Sequence, residues 1–302
     1  MAPQQNGRVN ALFVRLAVSG LLLMGGAAVA GPNSETGFEP PDYNGSSDGV
    51  LATGQQGWYL PDVLGSTDQF IFTYDGNALG LPANPFGETQ FLGGQTPLTG
   101  DLRRAQLDFG WNQASIWTVC YDVATGYNGI LPATDFLGSF SLQDSLVAKY
   151  FVAVNGWVNP DIADHWNALY IVFDSTGSMI DPLGTSPGAA WSNLAVDHWY
   201  NQCTTFCFDT NEILTVSITD LDTGDTATVM PNGWFMQGGT VFQFPVPTAL
   251  RFFVGGGPGN VGGYDNLTIH AIAGATRTQN PGVAPNVQGV QPIQVKGGPV
   301  TN

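Results

Sequence analysis

Residues 213–230 read ILTVSITDLDTGDTATVM, and they contain one structural unit in miniature. Leu214, Val216 and Ile218 alternate with Thr215, Ser217 and Thr219, the pattern of a strand with one dry and one wet face. DLDTGD, residues 220–225, gathers turn formers and joins that strand to TATVM as a hairpin. The same period of two returns in ASIWTVCYDVAT, WNALYIVFD, TALRFFVGG and YDNLTIHAI, while helical periodicity is nearly absent. Strands without helices to cover them must pack sheet on sheet, so the expected fold is all-β, an antiparallel two-sheet β-sandwich. WNALYIVFD is apolar on both faces, which predicts a central strand or one with its outer face covered.

The chain has 302 residues, with 8 Lys plus Arg against 24 Asp plus Glu and a formal charge of −16. Arg8 and Arg15 precede an apolar run, Leu16 to Ala30, that ends in Ala28-Val29-Ala30, the pattern of a cleaved secretory signal. The expected organisation is a signal peptide over 1–30, one sandwich domain over 31–273, and a flexible Gly/Pro/Asn/Gln tail over 274–302. Cleavage leaves six basic side chains and a formal charge of −18. Such a surface repels phosphate backbones, which argues against nucleic-acid partners. No later segment is apolar enough to span a membrane, so the mature chain is expected to be exported without a membrane partner. Export permits disulfides. Cys203 and Cys207, four apart in one strand, would lie about 13 Å apart at 3.3 Å per residue and cannot bridge each other. Cys120 pairs with one of them, or all three are buried thiols.

SETGFEPPDYNGSSDGVLATGQQGW (34–58) and RFFVGGGPGNVGGYDNLTI (251–269), taken together, resemble the ends of the concanavalin A-like lectin/glucanase superfamily, the jelly rolls that include LamG-type domains. That resemblance implies that the first strand, around Gly37 to Glu39, lies beside the last, Tyr264 to Ile269. Asp265 has the same parity as Leu267 and Ile269, so its carboxylate is expected to turn inward beside Glu39. Paired inward acids need donors or a cation. The resemblance implies a structural Ca²⁺ held by Glu39 and Asp265, the alternative being that Asp265 caps backbone N–H groups of the glycine loop at 255–263.

Catalytic constellations are sparse. No Glu-x-Asp-x-Glu cluster of the kind retaining hydrolysis requires is present, since Glu35 and Glu39 flank Gly37, and Glu212 has no nearby partner on its strand. His165, His198 and His270 lack zinc-ligand spacing, and Asp220, Asp222 and Asp225 lie in a loop without the Gly and Glu of an EF-hand. GGGPGN (255–260) precedes no helix and no lysine, and reads as a turn. Carboxylates meeting from different strands leave glycoside hydrolase or polysaccharide lyase as an alternative. The remaining signal is aromatic: 8 Trp and 9 Tyr, several in polar, turn-like settings. Sugars stack apolar C–H faces on such rings, and Trp157, Trp234, Trp166 and Trp199 are the candidates for glycan contact. The expected function is non-catalytic binding of an extracellular or cell-envelope polysaccharide, and the second alternative is a structural or adhesive surface protein.

Overall fold

The computed structural model describes residues 34–99, 101–108, 116–126, 136–144, 149–162, 164–240 and 247–272. The expected signal at 1–30 and tail at 274–302 lie outside them. The period-two segments form two sheets. The larger, nine-stranded sheet runs in the order β15 (Thr226–Val229), β14 (Glu212–Asp220), β13 (Tyr200–Cys207), β8 (Ile116–Gly126), β17 (Val261–Ala271), β6 (Gln90–Gln95), β5 (Phe70–Thr73) and β2 (Val50–Leu51), with β1 (Ser34–Thr36) also on β17. The smaller, eight-stranded sheet runs β12 (Leu194–Ala195), β11 (His165–Ile171), β10 (Lys149–Val158), β9 (Phe136–Asp144), β16 (Ala249–Val254), β7 (Leu102–Asp108) and β3 (Trp58–Tyr59), with β4 (Ser66–Asp68) on β7. Among the described strands the pairings are antiparallel except that of β4 with β7. This is the expected two-sheet jelly-roll sandwich.

The inner faces meet in an aromatic cluster. The Phe252 ring lies 4.3 Å from Tyr264, 5.3 Å from Tyr121, 5.5 Å from Phe140 and 6.0 Å from Trp58, joining β16, β17, β8, β9 and β3 across both sheets. A second apolar cluster, with Phe72, Phe91, Ala124 and Trp199, occupies the outer face of the larger sheet, where Leu81 and Tyr74 pack on it. The first and last described strands meet as expected, three residues earlier on the first strand: Ser34 pairs with Ile269 and Thr36 with Leu267, and Phe38 and Leu267 share the inner core.

Two bulges change which side chains face inward. The β17–β8 register shifts between Asp265 and Thr268, and Asn266 takes a left-handed φ of 47°. Tyr264 and Leu267 therefore both enter the inner core, although three positions apart, and Asp265 turns to the outer face of the larger sheet. The expectation of an inward Asp265 fails because an extra residue in a bulge reverses the parity on its far side. A bulge where β13 meets β14 does the same, so that Ile213, Val216 and Ile218 are core and Leu214 is only half-buried. Cys120 and Cys203 are register partners on β8 and β13 and form a disulfide, leaving Cys207 as a buried free thiol. Among the described residues no helix is long and apolar enough to cross a membrane.

Candidate functional site

Of the four tryptophans expected to meet glycan, three present no ring to solvent. Trp166, Trp199 and Trp234 are 2%, 1% and 8% exposed. Trp166 packs on Tyr200 and donates its indole N–H to Ala195. Trp199 lies in the outer apolar cluster and donates to Pro82, and Trp234 packs on Tyr170. In both DHW tripeptides the Asp is left-handed, with φ of 57° at Asp164 and 54° at Asp197. The chain turns there, and the Trp that follows enters the core at or beside the start of a strand. Polar neighbours in sequence therefore marked turns, not exposed rings. Trp157 alone of the four is only half-buried.

The acids gather elsewhere. Asn201, Asp122 and Asp265 form one row across β13, β8 and β17 on the outer face of the larger sheet. The segment 74–89 closes over that row. Asp122 accepts from Asn84 and Asn201, both at 2.7 Å, and from Asn266 at 2.8 Å. Asp265 accepts from the Tyr74 hydroxyl at 2.6 Å and from the Asn266 N–H at 2.8 Å. Glu39 stands at the edge of this group, taking the backbone N–H groups of Thr89 and Gln90. Asp122 and Asp265 are 2% and 0% exposed, and burial raises the pKa of both, Asp265 well above its usual value. Burial, then Asp265, raises Tyr74 as well.

These residues do not fit the expected calcium. A calcium shell needs oxygens turned toward the ion, whereas Asn84 and Asn266 turn their NH₂ groups to the carboxylates. Their orientation is fixed by other bonds: Asn84 Oδ1 accepts from Phe86 N–H, and Asn266 Nδ2 also donates to Phe86 O. Among the described residues no group of three His, Cys, Asp or Glu is arranged to hold a metal ion. The same bonds occupy the Asn266 sequon nitrogen. Asp265 does cap a backbone N–H, but that of Asn266, not one in the glycine loop.

The row has a consequence for pH. A carboxyl whose pKa is higher folded than unfolded binds more protons folded, so stability is greatest in acid and declines as pH rises from the ordinary Asp value toward the raised one. The melting midpoint is expected to be higher at pH 5 than at pH 8, and Asp265→Asn, which mimics the protonated acid, should flatten that slope. Melts stay above pH 5 because Asp174, held below its usual value by Thr176 and Ser178, contributes oppositely in stronger acid. A slope unchanged in the variant would refute this reading, and a wild-type midpoint lowered by chelator would restore calcium.

The outer face of the smaller sheet has a different chemistry. Trp58 and Phe252 face the core, so their neighbours Tyr59 and Arg251 face outward. Register sets Tyr59, Gln106, Arg251 and Ser141 in one row across β3, β7, β16 and β9, and Arg104, Phe253, Ser139 and Asn155 in the next. Arg251 donates Nε (2.9 Å) and Nη2 (2.6 Å) to Gln106 Oε1, Gln106 donates to the Tyr59 hydroxyl, and Tyr59 donates to Asp108 at 2.6 Å. Beside this relay the rings of Phe253, Phe136 and Trp157 follow one another at 5.1 and 5.2 Å. The Arg104 guanidinium lies over Phe253, 5.9 Å from its centroid. Burial, then Arg104, lowers Arg251 to about 10, and burial lowers Arg104.

Sequence reading missed Arg104, Gln106, Arg251 and Tyr59. The available signal was alternation: in TALRFFVGG an arginine between Leu250 and Phe252 can only face away from the core.

No family model matches the chain, and no curated protein matches it. Among solved structures it is similar to lectin II from Ulex europaeus, at 10% identity over 80% of this chain and 98% of that one, with a TM-score of 0.41. It is also similar to a carbohydrate esterase of the Shiga toxin-encoding bacteriophage phi24B, at 11% identity over 74% and 97%, TM-score 0.40. The exoplasmic/lumenal domain of VIP36 is similar at 10% identity over 65% and 83%, TM-score 0.39. At such values the site must be read from its own geometry.

Proposed function

We propose that the chain is an exported, non-catalytic glycan-binding sandwich whose site is the outer face of the smaller sheet. The observation that carries this reading is the aromatic strip Phe253–Phe136–Trp157 lying directly beside the relay of Arg251, Gln106 and Tyr59. A pyranose has an apolar C–H face and a rim of hydroxyls, and needs those two surfaces side by side. Trp157 adds a shielded indole N–H without an acceptor, a donor for a ring or hydroxyl oxygen. The Cys120–Cys203 disulfide supports an oxidising compartment.

Hydrolysis would need a pair of carboxyls open to substrate. The adjacent acids Asp122 and Asp265 are sealed under 74–89 with their oxygens engaged, which is why the non-catalytic reading is preferred.

Trp157→Ala is expected to weaken glycan binding at least about 10-fold, the range of one stacked ring in a binding site, while the melting midpoint moves by only a few degrees. A glycan array followed by titration calorimetry checks it. Wild-type protein that binds no glycan would leave the structural or adhesive role, and reducing-end release from polysaccharide would establish the hydrolase.

A further inference from the structure

We infer that the glycan is acidic, and that Arg104, with the buried Arg251 behind it adding positive charge, receives a uronate-type carboxylate carried on a pyranose whose ring lies over the aromatic strip. This rests on the glycan-binding reading above.

Arginine is scarce in this chain, with 8 Lys plus Arg in 302 residues, yet two arginines face outward in adjacent rows of one sheet. Their sequence neighbour Arg103 shows the contrast. Arg103 reaches the opposite way, donating to Gln95 O at 2.9 Å and Asp68 O at 3.1 Å, with its guanidinium 5.0 Å from the Phe70 ring centroid, and it ties the two sheets together. Arg104 and Arg251 do no such tying.

Arg251 is 6% exposed, and the acceptor it grips is the neutral amide of Gln106. Arg104 is anchored through Nη1 to Gly65 O and Ser66 Oγ, also neutral. Among the described residues neither guanidinium forms a salt bridge with a carboxylate. Asp108 accepts from Tyr59, and Asp68, the register partner of Arg104, accepts from Thr53. Two cations close enough to lower the pKa of one, partly stripped of water and given only dipoles for company, are costly in the free protein. An incoming anion relieves that cost.

The geometry also selects the anion. A guanidinium presents parallel N–H groups that match a planar carboxylate, and the adjoining rings require an apolar face on the same molecule. A uronate residue carries both. The chain's net negative charge opposes any polyanion at long range, but at 0.15 M salt charges beyond roughly 8 Å are largely screened, and the local pair of arginines decides.

The test is titration calorimetry of the whole chain at 0.15 M salt against four oligosaccharide sets: galacturonate oligomers, their methyl esters, neutral glucan oligomers and sulfated glucan oligomers. The acid is expected to bind at least 10-fold tighter than its methyl ester, and Arg104→Gln, on a side chain that is only half-buried, should bring the two within about twofold. Arg251→Gln should do the same if it folds, with Arg104→Gln sufficient alone. Acid and ester binding alike in the wild type, or a preference that survives Arg104→Gln, would overturn the inference and leave the glycan reading standing if Trp157→Ala still weakens binding. Tighter binding of the sulfated set would overturn the carboxylate assignment. Binding of none of the four would remove the glycan reading and this inference with it.

Discussion

Phe252→Ala should destabilise the protein by about 3–5 kcal/mol, the range for truncating a fully buried aromatic residue. Phe252 is 0% exposed, and its ring touches partners from both sheets, with Tyr264 stacked at 4.3 Å and Trp58 at 6.0 Å. The surrounding rings cannot collapse into the space, because Tyr264 is itself held by a hydrogen bond from its hydroxyl to Phe253 O at 2.8 Å. The cavity would remain, and its unfilled contacts set the cost at the upper part of the range. Denaturant unfolding measures it. Phe86→Ala, on a ring that is 66% exposed, serves as control and should change stability by under about 0.5 kcal/mol. A Phe252 loss no larger than that of the control would show that the inter-sheet cluster is not the centre of the fold.

Removing the disulfide should cost a similar amount. Cys120 and Cys203 lie 83 residues apart in sequence, and closing a loop of that length in the unfolded chain corresponds to about 4–5 kcal/mol on the chain-entropy relation. The two residues are register partners on adjacent strands, so the folded state loses little contact when both become alanine. The loss is therefore expected on the unfolded side, as a gain in the entropy of the unfolded ensemble. Paired Cys120→Ala and Cys203→Ala substitution, which leaves the buried Cys207 in place, should lower the denaturant midpoint markedly. Non-reducing mass mapping that finds a different pairing, or a stability loss under about 1 kcal/mol, would contradict the assignment.

The sandwich was legible because alternation in segments such as WNALYIVFD and ILTVSIT needs no knowledge of the rest of the chain. Facing direction was less secure, since parity holds only until a bulge. Asp265 shows this most clearly: counted back from Leu267 it points inward, but the extra residue at Asn266 reverses it, and nothing in DNL announces a bulge. The pairing of Asp265 with Asp122 depends on which strand lies beside β17, a long-range fact. Burial of Trp166 and Trp199 was hidden for a related reason, because polar turn residues describe the backbone beside a ring and not where the ring goes. Arg251 could have been placed outward from its neighbours alone. Its link to Tyr59 through Gln106 could not, because β3, β7 and β16 come together only in the folded sheet.

The two sheets end in very short outer strands: two residues each in β2, β12 and β3, and four in β15. An exposed row of backbone donors and acceptors invites another chain to add on, and a row this brief gives an intruder little to grip. On β15 the outward Thr226 and Thr228 are exposed and hydrated, which further disfavours a dry contact. Self-association by strand addition, the usual hazard of all-strand proteins at high concentration, is thereby blunted at these four edge strands.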